Sequence, residues 1–360
     1  MGVNREEFIQ ALKEREAKVV EILNREEYKR SFNPEELRAA VYSYLNRPAK
    51  RLRPGILLFS CGAVGGDERR ALSAAAAVEV YHTWTLVHDD IIDNDAKRRG
   101  FPTVHEEFRT RALKKGYSER EAVDYGRNIA ILTGDLQHAW SLQLLQDSIN
   151  RGVKKEVVLD LVARLAGLSK ALLEGEALDV LFAKREIKDL TERDVLKMLE
   201  LKTGILYEFA GIAGASIGLD QTVAENEMIK AIGSFARKCG IAFQLQDDIL
   251  GIIGDEKRLG KPVGSDVREG KRTVILLHTF QKAGNKEREY LLNKLGDPSI
   301  SNGEVETVKQ ILLKNNGIEY AKSLAEQIIN QAIEELSPLP DSQYKQSLLA
   351  WADYVADREM

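Results

Sequence analysis

Apolar residues recur along the whole chain at intervals of about 3.6 positions, and alternating runs of β-branched residues are nearly absent. This spacing is typical of amphipathic helices, and 8 prolines in 360 residues leave long stretches in which helices can continue. No linker-like segment rich in proline, glycine or serine interrupts the pattern. Among the predicted helices, separate ones cover 153–168 and 172–184, Thr191 opens another, and Asn33 is the expected cap of one that begins at Pro34. The sequence therefore predicts an all-α protein, a single-domain helical bundle around a central apolar cavity that covers residues 1–360.

The overall composition excludes several classes of protein. Hydrophobic residues make up 44% and charged residues 30% of the chain, which is ordinary for a globular protein with a sizeable core. The net charge of −4 gives no support to a nucleic-acid partner. Apolar runs are too short for a membrane span, and the first residues, MGVNREEF, contain no signal-peptide core. We therefore predict a cytoplasmic protein without stable membrane insertion, whose Cys61 and Cys239 are buried free thiols.

Two aspartate clusters follow strongly apolar helical sequence, where carboxylates are costly to bury. The first lies in VHDDIIDNDAKRRG and the second in FQLQDDILGIIGDEKRLGK. Divalent cations could compensate these charges, and the clusters could face each other across a cavity with Mg²⁺ between them. Arg98-Arg99 follow the first cluster, and Lys261 and Lys271 follow the second. Metal-binding acids beside guanidinium and ammonium groups predict a diphosphate site.

The first cluster has the spacing of a chelating pair. Asp89 and Asp93 are i and i+4 on a helix, about 6 Å apart along its axis, and could bind one cation or bridge two. Asp90 points about 100° away and is better placed to support its neighbours. The alternative is a solvated helix end, although aspartates there oppose the helix dipole. His82 lies two turns earlier on nearly the same face and is either a ligand-facing residue or a core histidine.

The second cluster is less complete. Gln244 lies one turn before Asp247 or Asp248 and could bind a ligand or orient a carboxylate. The position that would complete the motif is Gly251, while Asp255 and Asp266 lie in the following loop. Two partly solvated acids at a helix end are the alternative interpretation.

Basic residues appear in two further places. Lys50, Arg51 and Arg53 precede Pro54 near a predicted helix start, which makes either an anion site or a solvated basic turn. Lys202 and Thr203 lie in the middle of an apolar helix, where a lysine either extends to the surface or meets a buried anion. Gly204 favours a local break in that helix.

Taken together, these motifs resemble those of the trans-isoprenyl diphosphate synthase, or polyprenyl synthetase, family. DDIID with a downstream RRG is similar to the first aspartate-rich motif of the family, and FQLQDDILG is similar to the second. KRLRP, LKT and GKPVGSDVREGK resemble its other motifs, in the same order, over residues 48–275. The chain departs from the family at Pro48-Ala49, where a glycine pair is usual, and at Gly251.

The resemblance implies a role for each matching residue. Lys50, Arg53, His82 and Arg99 match contacts of isopentenyl diphosphate. Contacts of the allylic diphosphate are matched by Arg98, Lys202, Thr203, Gln244, Lys261 and Lys271. Asp89, Asp93 and Asp247 match ligands of three Mg²⁺ ions, and Asp90 and Asp248 complete the catalytic motifs, together with Lys202. The family is generally homodimeric, so a homodimer is expected here.

Product length is expected to depend on residues before the first motif. Trp84 lies five positions before Asp89, about 7.5 Å along the helix axis, where a bulky aromatic limits the product in this family. The neighbouring Thr85 is small. One aromatic at this position resembles the archaeal-type geranylgeranyl diphosphate synthases and implies a twenty-carbon product. The alternatives are farnesyl diphosphate or a longer product, with Trp84 an ordinary core residue and Tyr81 or another residue setting the limit.

Three rival functions share some of these features. A class I terpene cyclase has the fold and the first motif but needs no isopentenyl diphosphate site, which Lys50 and Arg53 predict here. A non-catalytic partner subunit would have degraded aspartate motifs. A protein that binds Mg²⁺ or Ca²⁺ only for stability would not need arginines and lysines beside both clusters.

Overall fold

A computed structural model describes residues 2–254, 264–297 and 299–357. Within these ranges most of the chain is helical. The strands form one short antiparallel hairpin, Lys97–Arg98 with Phe101–Pro102. The prediction of an all-α protein is confirmed. Cys61 and Cys239 are buried free thiols, also as predicted.

The helices are numbered in chain order. The first eight are α1 Arg5–Leu23, α2 Glu26–Ser31, α3 Glu35–Tyr42, α4 Leu52–Ala63, α5 Leu72–Ile92, α6 Val104–Lys114, α7 Glu119–Gln146 and α8 Lys155–Phe182. The remainder are α9 Glu192–Leu199, α10 Ile205–Leu219, α11 Glu227–Ile253, α12 Ser265–Glu269, α13 Val274–Lys282, α14 Asn285–Lys294, α15 Asn302–Lys314, α16 Gly317–Glu335 and α17 Gln343–Ala356. A π-helical turn, Glu200–Gly204, separates α9 from α10.

Helix starts follow local sequence chemistry. Thr191, predicted to open a helix, caps α9: its hydroxyl accepts from the Asp194 backbone N–H while the Asp194 carboxylate accepts from the Thr191 N–H. Ser118 and Glu121 form the same reciprocal arrangement at α7. Such capping boxes satisfy backbone donors that a helix start would otherwise leave without partners.

Some local predictions were wrong. The sequence suggested two helices over 153–168 and 172–184, but α8 runs through without a break. Gly167, within it, is exposed and has open space where a side chain would begin, so the helix tolerates it. Helix α6 was missed because its sequence, VHEEFRTRALK, is mostly polar. Pro34 is the residue that caps α3, whereas the sequence indicated Asn33 in that position.

The first of two compact units comprises Met1–Leu165, Phe209–Ile232 and Pro338–Ala350. Helix α5 is central to it, because most of its residues are buried and its alanine-rich start admits close neighbours. Gly214 of α10 shows how closely backbones approach in this unit: a Cβ there would lie 2.0 Å from the Leu57 carbonyl oxygen of α4. An aromatic group of Tyr28, Phe32, Tyr42 and Trp140 packs α2 and α3 against α7.

The second unit comprises Ala166–Glu208, Gly233–Ser337 and Trp351–Met360. The Trp351 ring is fully buried here, with ring centroids 5.1 Å from Tyr207 and 5.6 Å from Phe235. The assignment of residues 1–360 to one domain stays a prediction. Among the described residues, no helix is long and apolar enough to cross a membrane.

We predict that Gly214→Ala lowers the free energy of unfolding by about 1–3 kcal/mol, because a backbone carbonyl cannot move aside for the added methyl group. Chemical denaturation measures the change. Gly167→Ala is the matched control, since open space surrounds that position and alanine favours a helix. Equal destabilisation by both substitutions would contradict the argument.

Candidate active site

The first aspartate motif ends helix α5. Asp93 caps the helix, and its backbone N–H donates to the Asp89 carbonyl oxygen at 2.8 Å, so the two carboxylates are on successive turns. Both side chains are half-buried. Two half-buried carboxylates at the negative end of a helix dipole favour a bound cation.

Asp90 points elsewhere, as its helical position predicted. It is 1% exposed, accepts from Arg98 Nε at 2.7 Å and also accepts from the Tyr44 hydroxyl. Burial raises the pKa of this carboxyl, while Arg98 and Tyr44 act in the opposite direction. Arg98 Nη2 also donates to Asp89 Oδ2 at 3.0 Å. Asp90 therefore orients Arg98 beside the carboxylate of Asp89. The catalytic role of Asp90 stays a prediction.

A short hairpin carries Arg98 and Arg99. Arg47 supports it by donating to the Pro102 carbonyl oxygen at 2.9 Å and by stacking on the rings of Tyr44 and Phe101. Arg99 has a φ of 53°, in the left-handed region that non-glycine residues rarely adopt. Packing of this kind can hold a strained backbone in place.

The basic residues before and at the start of α4, Lys50, Arg51 and Arg53, differ in burial. Arg51 is inside: its side chain is 3% exposed, forms ion pairs with Glu16 and Glu79, and donates to the Leu45 carbonyl oxygen at 2.6 Å. Its φ of 40° is left-handed. Lys50, by contrast, is exposed. Arg51 is thus a structural cation, and the predicted contacts Lys50 and Arg53 lie on either side of it.

Arg53 and His82 form a polar pair between α4 and α5. Arg53 Nη1 lies 3.0 Å from His82 Nε2. Removal from water, together with Arg53, Arg99 and Arg98, holds the pKa of His82 well below its usual range. The neutral ring therefore accepts from Arg53 through Nε2 and carries its proton on Nδ1. This pairing brings together two of the residues that were predicted to bind one diphosphate.

Glu79 was missed by sequence reasoning. It is 6% exposed, one turn before His82, and its Oε1 lies 3.4 Å from Arg51 Nε. Burial raises its pKa, and Arg51, Arg99 and Arg53 lower it. The signal available in the sequence was an acid within the apolar run VEVYHTW, where an isolated charge needs a partner.

In the second unit, Lys202 lies in the π-helical turn, and Gly204 is at the end of this turn, where a local break was predicted. Lys202 Nζ lies 2.7 Å from Asp179 Oδ2 and 2.9 Å from Glu176 Oε2, both on α8. Gly175 makes this possible, because a Cβ there would be 2.5 Å from the Lys202 backbone nitrogen. The lysine thus meets two half-buried carboxylates, and these partners were not predicted.

A chain of hydrogen bonds supports the second aspartate motif. The Thr203 hydroxyl donates to Gln244 Oε1 at 3.1 Å, and Gln244 Nε2 donates to Asp248 Oδ1 at 3.1 Å. Burial raises the pKa of Asp248 well above its ordinary value, and Asp266 raises it further. Gln244 therefore orients a carboxylate, one of the two roles predicted for it. Asp247 is half-buried on the neighbouring helix position.

The structure also bears on the missing aspartate of that motif. A Cβ at Gly251 would lie 2.8 Å from Asp266 Oδ2, so the Asp266 carboxylate occupies the space where a side chain at position 251 would begin. Lys271 pairs with Glu269 at 3.0 Å. Lys261 and Asp255 lie outside the described residues.

The donor set fits Mg²⁺, which proteins usually bind through one or two carboxylates together with substrate phosphates. At the first motif, Asp89 and Asp93 would offer two carboxylates; at the second motif, Asp247 would offer one. Within residues 2–254, 264–297 and 299–357, no three His, Cys, Asp or Glu side chains are grouped as a metal site. A small number of carboxylates per motif suits an ion whose remaining ligands are diphosphate oxygens and water.

The residues predicted to set product length lie on α5. Trp84 is 5% exposed and packs edge-on against the fully buried Tyr81, with ring centroids 4.9 Å apart. Thr85 is half-buried, and its hydroxyl donates to the His82 carbonyl oxygen at 2.8 Å.

Comparison with known proteins identifies the family. The family model described as polyprenyl synthetase matches residues 34–312. The chain belongs to the polyprenyl synthetase family. It is therefore a prenyltransferase.

Individual relatives resemble most of the chain. A geranylgeranyl diphosphate synthase of Sulfolobus acidocaldarius is 39% identical over 84% of this chain and 84% of its own length. A geranylfarnesyl diphosphate synthase of Aeropyrum pernix is 36% identical over 91% of this chain and 96% of its own. A geranylgeranyl pyrophosphate synthase from Corynebacterium glutamicum, solved with isoprenyl diphosphate and magnesium, has a TM-score of 0.84 at 25% identity and covers 100% of both chains.

The buried ion pair between Arg51 and Glu79 is expected to stabilise the fold. Arg51→Met leaves Glu79 without its ion-pair partner, and we predict a loss of about 3–5 kcal/mol in the free energy of unfolding. Denaturant titration measures the loss. Arg69→Met is the control, because Arg69 is 80% exposed in its pair with Asp67 and such surface pairs contribute about 0–1 kcal/mol. A similar stability for both variants would show that Arg51 is not structural.

Proposed function

We propose that this prenyltransferase condenses isopentenyl diphosphate with an allylic diphosphate and makes geranylgeranyl diphosphate as its main product. One observation carries the proposal. On a single face of α5, His82 with its Arg53 partner lies about 10 Å along the axis from Asp89, which Arg98 contacts. Anion-binding and cation-binding groups at that spacing suit two diphosphates held side by side.

The proposed substrate contacts form two groups, one for each diphosphate. Lys50, Arg53, His82 and Arg99 hold the diphosphate of isopentenyl diphosphate. Arg98 and Lys202 contact the allylic diphosphate, and Thr203, Gln244, Lys261 and Lys271 are proposed to contribute to the same side. Anchoring both substrates turns a bimolecular encounter into an oriented one.

Asp89, Asp93 and Asp247 are proposed to hold Mg²⁺, with three ions per active site. When bound, Mg²⁺ neutralises the diphosphate that leaves the allylic substrate. Arg98 adds positive charge beside the same oxygens, and Asp90 keeps its guanidinium in orientation. The isopentenyl double bond then attacks the allylic cation, and the released diphosphate accepts the proton that is lost. The reaction requires that water be excluded, because water would otherwise trap the cation.

A twenty-carbon product is favoured by Trp84 on α5 and by the Sulfolobus relative. A twenty-five-carbon product is the alternative suggested by the Aeropyrum relative, and farnesyl diphosphate is the shorter alternative. We also propose a homodimer, because Ile131 and Leu132 of α7 are 41% and 53% exposed. Cytoplasmic location stays a prediction.

The deciding experiment incubates purified protein with labelled isopentenyl diphosphate, Mg²⁺ and one allylic primer at a time. Incorporation of label into a chain-extended diphosphate supports coupling. A cyclised hydrocarbon made from the allylic primer alone would identify a terpene cyclase. Absence of reaction with every primer would identify a non-catalytic subunit or a structural metal-binding protein.

We predict that Asp89→Ala reduces turnover by at least about a thousandfold, because a carboxylate that holds the metal and orients Arg98 is removed. Steady-state incorporation of label measures the loss. Asp124→Ala, at an exposed acid on α7, is the control and retains the wild-type rate. A near wild-type rate for Asp89→Ala would refute the proposed metal role.

We predict that Trp84→Ala lengthens the product beyond twenty carbons, because the loss of the indole removes the obstacle to the growing chain. Chromatography of the dephosphorylated products measures chain length. An unchanged product would show that other residues set the limit, with Tyr81 the next candidate.

A further inference from the structure

Three ring-bearing residues of α5 face α7. Tyr81, Trp84 and His88 are spaced by three and four positions, so they lie on one side of the helix. His138 of α7 meets them: its ring centroid is 4.3 Å from that of Trp84 and 5.7 Å from that of Tyr81. Trp84 therefore has a ring from α7 on one side and the edge-on ring of Tyr81 on another.

The indole is also fixed by a hydrogen bond. Trp84 Nε1 donates to His88 Nδ1 at 3.1 Å. His88 can accept there only if its proton is on Nε2, and Nε2 lies 3.2 Å from the carbonyl oxygen of Ile131, to which it donates. The backbone of α7 thus selects the histidine tautomer that holds the indole N–H.

Gly134 makes this arrangement possible. A Cβ at position 134 would lie 2.1 Å from His88 Nε2. Any side chain on α7 at this point would push the imidazole away and break its contact with Ile131. The sequence of α7 is therefore fitted to the His88 ring at Gly134 and to the Trp84 ring at His138.

We propose that His88 and His138 are positioning residues that hold the indole of Trp84 in one orientation and thereby fix the length of the prenyl product. This inference rests on the proposed function and on Trp84 as the obstacle to chain growth. A tryptophan side chain has several staggered rotamers, and an obstacle that changes rotamer admits chains of more than one length. The ring contact with His138 and the hydrogen bond to His88 together restrict it to one.

The first test changes the ring on α7. In His138→Ala the indole loses its stacking partner, and the share of products longer than the main wild-type product rises about fivefold, as expected from the strength of an aromatic contact. His138→Phe restores a ring and the wild-type product distribution. Gln143→Ala, at an exposed position of α7, leaves the distribution unchanged. A wild-type distribution in His138→Ala, or equal lengthening in His138→Phe, would overturn the proposal.

The second test examines whether the histidines act through the indole. In a Trp84→Ala background, adding His138→Ala causes no further lengthening, because the residue that His138 positions is already absent. Further lengthening in the double variant would show that His138 acts independently of Trp84. His88→Leu removes the acceptor of the indole N–H and gives the same shift as His138→Ala, while an unchanged distribution would exclude His88. Product ratios are compared because His88 adjoins Asp89 and its loss lowers the rate.

These outcomes are separable from failure of the proposed function. If the wild-type protein incorporates no isopentenyl diphosphate with any primer, the proposed function is wrong. If the wild-type protein makes one product and His138→Ala makes the same one, the function stands and the positioning role is wrong. Thermal denaturation of each variant shows that the fold is retained.

Discussion

Buried carboxylates paired with arginines are the constraint on which this molecule depends. Asp90 and Glu79 both lie within α5, where an uncompensated charge would cost several kcal/mol, and Arg98 and Arg51 reach them from other segments. Each pair fixes the course of a loop, the 97–102 hairpin in one case and the segment before α4 in the other. The buried ion pairs therefore position the exposed residues of those loops, which include Lys50 and Arg99. The predicted diphosphate contacts are thus positioned by acids that are themselves buried against arginines.

Sequence reasoning performed well where structure is decided locally. Helical periodicity predicted the all-α fold, Thr191 and Asp194 predicted a helix start, and the spacing of Asp89, Asp90 and Asp93 predicted which acid turns inward. It predicted less where contacts between different segments of the chain determine the structure. The pairing of Lys202 with Glu176 and Asp179 joins the π-helical turn to α8, more than twenty residues earlier in the chain, and no local pattern reveals such a partner. Helix α8 also passes Gly167 without a break, because a single glycine lowers helix stability by only about 1 kcal/mol.

At the second motif, the structure changes the interpretation of Gly251, which stands where an aspartate was expected. Gly251 was read as the loss of a carboxylate. In the folded chain, the absence of a side chain at this position makes room for Asp266, so a carboxylate stands beside the motif although it comes from a different helix. The residue spacing of a motif describes only side chains on one helix. It does not predict a carboxylate that reaches the same space from a different helix.

Arg51 and Arg99 occupy backbone conformations that glycine adopts without penalty and other residues adopt at a cost of about 1–2 kcal/mol. Selection for heat resistance alone would favour glycine at Arg99, whereas at Arg51 the loss of the buried ion pair, about 3–5 kcal/mol, outweighs the relief of this strain. Each such replacement would discard a guanidinium, at Arg51 the anchor of a buried acid and at Arg99 a proposed substrate contact. Thermostability and the proposed activity are therefore opposed at Arg99 alone, and variants of this chain selected only for survival at high temperature would tend to lose turnover there first.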